Sequence, residues 1–407
     1  MTLKSTAIQI VAQLQEAGHI AYFAGGWVRD FLLGLPSSDI DIATSASVEH
    51  IQALFPKTLP VGIQFGIVVV VENSHPFEVA TFRQEDGHLD GRRPNSIEPT
   101  TPEFDAQRRD FTINGLFYDP LSETLYDYVE GQKDLQEGII RAIGDPHERF
   151  LEDRLRMIRA VRYATRFEFP IHIDTEQAIL SYAKSLFPSV AMERIWQELQ
   201  KMSHSKHFPK SLIMLFKLGL LTTIFPILKD LSLNDLEERV APLYCLQSAP
   251  LIAKLLFLFP DFSLEEVLEL CDMLKVSNST KELASFLHSA KNRLHLSLSL
   301  QRAFEPYEWA EFYAHPQSFI ALEIHSFSQT DKASYEKFHQ TNQQALKIHI
   351  ERLRAKTPLV QAKDLMEIGI KPGIEMGRLL KEAQRISVNL DIHDKQTLMH
   401  RLQNPSS

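Results

Sequence analysis

Apolar and polar positions along the chain change rhythm twice. Residues 5–17 carry Ile8, Val11 and Leu14 at helical spacing, which predicts an amphipathic helix. A short apolar run over 20–24 ends at Gly25-Gly26 and predicts a strand, with a helix opening directly afterwards over 27–33. Asp39, Ile40, Asp41 and Ile42 then alternate, the period-two pattern of a strand with one polar face. Residues 67–71 form a β-branched run, and 77–82 predict another strand. From 83 to 107 the chain is polar and rich in Gly, Pro and Asp, which predicts a long loop. After about Gly144 strand signals become scarce, and helical spacing continues to the end, punctuated by Pro170, Pro188, Pro209, Pro226, Pro242, Pro250 and Pro260. The pattern predicts an α+β protein: an N-terminal mixed α/β portion followed by an all-helical remainder.

Composition narrows this picture. A chain of 407 residues with 44% hydrophobic residues suits several soluble structural units. Its formal net charge of -9 argues against nucleic-acid binding driven by overall charge and directs attention to local basic grooves. The two cysteines, Cys245 and Cys271, are too few for a disulfide framework or a zinc site and read as ordinary buried thiols of a reducing compartment. The longest apolar stretch, 251–259, is interrupted by Lys254 and is too short to span a bilayer. Residues 1–14 lack a continuous apolar leader. A cytoplasmic protein with no membrane partner is expected.

Candidate chemistry concentrates in four places. Residues i and i+2 of a strand point the same way, so Asp39 and Asp41 would share a face. Two such carboxylates need a cation or a proton nearby, and hard oxygen ligands suit Mg²⁺. Asp-x-Asp also occurs by chance in solvated turns. Gly25-Gly26 lies between a strand and a helix, where backbone N–H groups can approach a phosphate, and Arg29 follows one turn later. No Walker-type Lys-Ser/Thr follows, so this is not a P-loop. Arg108-Arg109-Asp110 reads either as a solvated helix start or as a clamp, with Arg109 on phosphate and Asp110 on sugar. Finally, residues 150–167 predict one helix on which Asp153, Arg156, Arg159, Arg162 and Arg166 recur every three or four residues. Leu155, Ile158, Val161 and Ala164 form its apolar stripe. Arginine's planar fork suits nucleobase edges and phosphates.

Gly25-Gly26-Trp27-Val28-Arg29-Asp30, Asp39-Ile40-Asp41, Arg108-Arg109-Asp110-Phe111-Thr112-Ile113-Asn114 and Glu152-Asp153-Arg154-Leu155-Arg156, followed by Arg159 and Arg162, stand in this order. Together they resemble the bacterial class II family of CCA-adding tRNA nucleotidyltransferases and poly(A) polymerases, within the polymerase-β-like nucleotidyltransferase superfamily. Glu193-Arg194-Ile195 with Glu198-Leu199 is similar to the family's neck, and Asp364-Leu365-Met366 with Gly369-Ile370-Lys371-Pro372-Gly373 to its tail. The resemblance implies a nucleotidyltransferase head over 1–144, a helical neck over 145–230, a helical body over 231–357 and a tail over 358–407. It implies template-independent addition of CMP and AMP, from CTP and ATP, to the 3′ end of tRNA, with poly(A) synthesis as the alternative. Asp39 and Asp41 would hold two Mg²⁺ ions. Gly26, Arg29, Arg109 and Asp110 would bind the nucleotide's phosphates and sugar. Asp153 and Arg156 would read its base, with Arg159 and Arg162 completing the pocket. Lys371 and Arg378 would contact the tRNA body. The stretch Val61-Gly62-Ile63-Gln64-Phe65-Gly66 is similar to the tRNA-specific branch.

Overall fold

The computed structural model describes residues 2–37, 39–61, 66–88, 94–298 and 303–403. The stretch 62–65 that bears on the tRNA-specific branch lies outside them. The chain divides into two compact units, Met1–Gln247 and Ser248–Ser407.

The first unit opens with α1 (Leu3–Glu16), β1 (Ala21–Ala24), α2 (Gly26–Leu32), β2 (Asp41–Thr44) and α3 (Val48–Leu54). Strands β3 (Thr58–Leu59), β4 (Ile67–Glu72) and β5 (His75–Thr81) follow, and then β6 (Arg83–His88) and β7 (Pro94–Pro99). Helix α4 (Pro102–Gln107), β8 (Leu116–Asp119), β9 (Thr124–Asp127) and α5 (Gly131–Glu137) complete the mixed portion. Seven strands make one sheet in the order β3-β4-β5-β2-β1-β8-β9, with β2 and β5 parallel and the other neighbours antiparallel.

Strand alternation decides which side of this sheet does what. Phe23, Ile42, Val68, Val70, Phe77 and Val79 belong to one buried cluster with Ile10, Val11 and Leu14 of α1, Val28 of α2 and Ile51 of α3. Their neighbours Ala24 and Ala43 belong to a second cluster with Phe82, Ala106 and Phe117. Asp41 is two residues from Ala43 and pairs with Ala24, so it lies on this second side. Here the sheet presents alanines, which pack against Phe82, Ala106 and Phe117.

The polar segment expected to be a loop is structured: β6 and β7 pair as a two-stranded hairpin, Arg83 opposite Pro99 and His88 opposite Pro94, and α4 follows. Its prolines mislead because Pro94 and Pro99 are the first and last residues of β7. At such positions a missing N–H interrupts no central ladder. Gly91, Arg92 and Arg93 of the same segment lie outside the described residues.

Past Asp127 the named elements are helical. Helices α6 (Pro146–Glu152), α7 (Leu155–Phe167), α8 (Ile173–Tyr182), α9 (Leu186–Ser189) and α10 (Met192–Ser203) lead away from the sheet. The helix expected over 150–167 is therefore two. Asp153 ends α6 in an extended conformation, φ -148° and ψ 103°, and its Oδ1 accepts the N–H of Leu155 at 3.0 Å. An aspartate that bonds nearby backbone competes with the helix in this way. The stripe survives on α7, where Leu155, Ile158, Val161 and Ala164 are buried.

The second unit is helical among its described residues, and Val360, Leu365, Met376, Ala383 and Leu398 make a buried cluster of their own near its end. Cys271 is buried, but Cys245 of the first unit is exposed, against the expectation of two buried thiols. Among the described residues no helix is long and apolar enough to cross a membrane.

One contact tests how tightly the head is joined. A Cβ on Gly131, the first residue of α5, would stand 2.3 Å from the carbonyl oxygen of Thr112 and 3.0 Å from Leu116 Cδ2. Gly131→Ala should cost about 1–3 kcal/mol of unfolding free energy, read as a lower midpoint in urea. An unchanged midpoint would mean that the Thr112 turn moves freely.

Candidate active site

The site is built around the turn that follows β1. Gly25 has φ 64° and ψ -122° and caps α2, which begins at Gly26. Such a backbone favours glycine, and there is a second reason for it. A Cβ on Gly25 would lie 3.0 Å from Arg109 Nη1. The Arg109 guanidinium is fixed in that place by Asp105, whose Oδ2 accepts from its Nε at 3.1 Å and its Nη2 at 3.0 Å. It also lies 4.8 Å from the Phe117 ring centre. Turn and guanidinium therefore sit at the end of β1 where Asp41 pairs with Ala24.

Asp39 and Asp41 come together, though not as neighbours on one strand. Strand β2 begins at Asp41, and Asp39 stands exposed ahead of it. The Asp41 carboxyl is pushed up from its ordinary 3.8 to about 6: burial contributes most, then the charges of Asp39 and Glu78, against the opposing pull of Arg109. Glu78 reaches this place because β2 and β5 run parallel, with Ile42 beside Val79. Sequence reasoning did not include this charge beside the pair. The available signal was an acid between the buried Phe77 and Val79.

Below the turn lies a lattice of paired charges, buried at Arg29, Asp30 and Asp110. Arg29 is 2% exposed. Its Nε and Nη2 donate to Asp30 Oδ1 at 2.9 and 2.7 Å, and its Nη1 donates to Asn114 Oδ1 at 2.5 Å. Tyr163 and Phe167 of α7 lie 5.1 and 4.7 Å from its guanidinium carbon. All three of its nitrogens are thus engaged within the protein. Asn114 passes the connection on, its Nδ2 donating to Asp110 Oδ1 at 2.9 Å. Asp110 Oδ2 accepts from Arg159 Nε at 2.7 Å. Burial alone would raise the Asp110 carboxyl, but Arg159, Asn114 and Arg156 outweigh it and hold the group down at about 2. Arg162 donates to buried Glu198 of α10 at 2.6 Å, and Arg159 Nη1 lies 4.0 Å from the same carboxylate. Arg166 donates to Asp30 Oδ2 at 2.9 Å.

Asp153 and Arg156 sit beside the break between α6 and α7, each with a partner. Arg194 of α10 grips both oxygens of Asp153, at 3.1 and 2.7 Å. Arg156 donates to Glu152 at 2.6 Å and to the carbonyls of Arg149 and Arg108 at 3.2 and 3.1 Å. The last bond ties α7 to the Arg108-Arg109 segment. Lys371 and Arg378 belong to the second unit. Lys371 is exposed between Gly369 (φ 90°) and Gly373 (φ 156°), and Arg378 bonds both oxygens of Glu375 at 3.1 and 2.8 Å.

A glycine turn, acidic side chains beside it on the alanine side of the sheet and an arginine-lined helix define a nucleotidyltransferase head, and comparison with known proteins agrees. The family described as Poly A polymerase head domain matches residues 21–141, and the one described as probable RNA and SrmB-binding site of polymerase A matches residues 168–231. A CCA-adding enzyme of Ligilactobacillus salivarius is 34% identical over 97% of this chain and 94% of its own length. The alignment with that of Anoxybacillus flavithermus is 40% identical but takes in 57% of each chain. The crystal structure of the Bacillus stearothermophilus CCA-adding enzyme in complex with CTP covers 100% of this chain and 99% of its own, with a TM-score of 0.70 and 28% identity. The chain belongs to the family of CCA-adding enzymes, the tRNA nucleotidyltransferases, as its ordered motifs implied.

The raised Asp41 carboxyl carries a test independent of turnover. Below about pH 4 the group is protonated in folded and unfolded chains alike. Between about pH 4 and 6 the unfolded chain releases a proton that the folded carboxyl still holds, so stability falls across that window and levels off above it. In EDTA at pH 7.5, Asp41→Asn should be more stable than the parent by on the order of 1–2 kcal/mol, and the advantage should vanish near pH 4. A less stable variant at pH 7.5 would contradict the repulsion.

Proposed function

We propose that this protein adds CMP and AMP, from CTP and ATP, to the 3′ end of tRNA without a nucleic-acid template. The observation that supports this most is the carboxylate cluster beside the Gly25-Gly26 turn. The Asp41 carboxyl feels the charges of Asp39 and Glu78 against the single guanidinium of Arg109, which already serves Asp105. The excess negative charge fits divalent cations bound by Asp39 and Asp41, and two Mg²⁺ ions suit these oxygen donors. When bound they supply activation of the attacking hydroxyl and stabilisation of the departing pyrophosphate.

The chain's own residues do the rest. The turn N–H groups at Gly26 and the charge of Arg109, whose Nε and Nη2 are held by Asp105 while Nη1 makes only a long bond to the Asn114 carbonyl, hold the triphosphate, so that the tRNA 3′-hydroxyl meets the α-phosphorus. The 3′-oxygen bonds the α-phosphorus, the bond from that phosphorus to the β-phosphate oxygen breaks, pyrophosphate leaves with the electron pair and the hydroxyl proton passes to solvent water. Arg29 acts from beneath as a positioning residue, and Asp110, fixed by Arg159, sets the clamp near the sugar. Asp153 and Arg156 read the base, with Arg159 and Arg162 shaping the pocket. Cytosine and adenine each present an amino donor beside a ring-nitrogen acceptor, which a carboxylate and a guanidinium complement. Uracil and guanine reverse both polarities and would leave buried groups unpaired at about 1–3 kcal/mol apiece. Lys371, with Arg378 if Glu375 releases it, meets the tRNA backbone. A reducing cytoplasm suits the thiols and the substrate.

Asp39→Ala or Asp41→Ala should abolish nucleotide addition while circular dichroism stays native; near-normal turnover with Mg²⁺ would remove the pair from the mechanism. Asp153→Ala should slow addition and also admit UMP or GMP, whereas equal slowing of all four nucleotides without misincorporation would deny it the reading role. Purified protein should be offered tRNAs ending before the first C, after CC and after CCA, with each nucleotide separately. Addition that stops after a fixed number of residues is expected. Long A tails on unstructured RNA would replace this reading with poly(A) synthesis.

A further inference from the structure

The second unit holds a cluster that nucleotide addition does not use. His349 lies on the helix Lys347–Ala355, while Asp391 and His393 stand just past the end of the helix Ile374–Asn389. His349 Nε2 and His393 Nε2 each lie 3.0 Å from the same oxygen, Asp391 Oδ1. The two imidazoles stack with centres 4.8 Å apart and planes inclined by 21°. One ligand atom from each of the three residues falls within 4.8 Å of the others.

The backbone that presents this carboxylate is not a relaxed one. Asp391 has φ 52°, directly after the capping residue Leu390, and the Ile392 N–H turns back to the carbonyl of Ser387 at 2.8 Å. Glycine is the ordinary occupant of such a helix end. A side chain there is strained, and the one present is shared by both rings.

We propose that His349, Asp391 and His393 bind a divalent transition-metal ion of the zinc type, one ligand from each, with water completing a tetrahedral set. Two imidazole nitrogens and one carboxylate oxygen suit zinc, cobalt or nickel better than magnesium or calcium. Metal–ligand bonds of about 2.0–2.1 Å with tetrahedral angles set donor atoms about 3.3 Å apart, a few tenths of an ångström beyond the 3.0 Å spacings present. The cluster is closed on one side and open on the other. His349 is 2% exposed, while the side chains of His393 and Asp391 are 40% and 74% exposed, so an ion can enter and keep a water. Burial pushes the His349 imidazole toward its neutral form despite the pull of Asp391, and neutral imidazole is the ligand. Arg352 Nη1 lies 3.4 Å from His393 Nδ1. A ring bound through Nε2 carries its proton on Nδ1, so the ion and this long contact exclude one another. The bound ion would fasten the helix Lys347–Ala355 to the turn after Ile374–Asn389.

The test uses the full chain carrying Asp39→Asn and Asp41→Asn, which removes the head carboxylates as competing ligands. Titration with Co²⁺, followed by visible absorption, should give one ion per chain with the strong bands of a tetrahedral site, displaced by Zn²⁺. His393→Ala, at an exposed ring, should weaken binding by at least about a hundredfold, and Arg352→Gln should tighten it. A titration with no such bands, or one that His393→Ala leaves unchanged, would overturn the proposal and leave a hydrogen-bonded His–Asp–His cluster.

Discussion

Asp110 and Arg159 form an ion pair across two parts of the first unit, a carboxylate from the segment before β8 and a guanidinium from α7. Their shortest separation is 2.6 Å. Asp110 is buried and its charge could not stay there alone, whereas Arg159 is 30% exposed; a buried charge left uncompensated is what makes breaking such a pair costly. Each partner is also bound sideways, Asp110 to Asn114 and Arg159 toward Glu198. Asn114 bonds Arg29, and Arg29 bonds Asp30, which Arg166 meets again from α7. The chain of bonds closes into a loop that begins and ends on α7. Sheet, turn and arginine helix are therefore held in one geometry by charges that tolerate few alternatives.

This arrangement explains why arginine dominates α7. Read from sequence, the four arginines at 156, 159, 162 and 166 suggest one face suited to nucleobase edges and phosphates. In the folded protein Arg159, Arg162 and Arg166 are bound to acids, and Tyr163 lies beneath the guanidinium groups of Arg162 and Arg29 at 4.2 and 5.1 Å. Arginine keeps its charge in such surroundings and offers donors in several directions at once. The helix is a fastener of the first unit, beside the reading role proposed for it.

Most of the framework was legible because its signals are local. The strand before Gly25-Gly26, the β-branched run at 67–71 and the apolar stripe of α7 each follow from the spacing of a few residues. The carboxylate pair was legible as composition but not as geometry, since Asp39 meets Asp41 from outside the strand. What escaped depended on partners far along the chain. Glu78 joins the cluster through a parallel pairing that no local pattern announces. Asp105 fixes Arg109 from within a segment whose prolines suggest irregularity. The break at Asp153 rests on one side chain choosing its own backbone over the helix.

That break has a kinetic meaning. In the protein described here the Asp153 carboxylate is already occupied, by two donors from Arg194. If Asp153 reads the incoming base as proposed, recognition is an exchange rather than a filling of vacant space. A base with the right edge replaces the bonds it displaces, while a base with the wrong edge must break them and returns nothing. Discrimination then begins before any bond to phosphorus is made, in how often Arg194 lets go and whether it is let back.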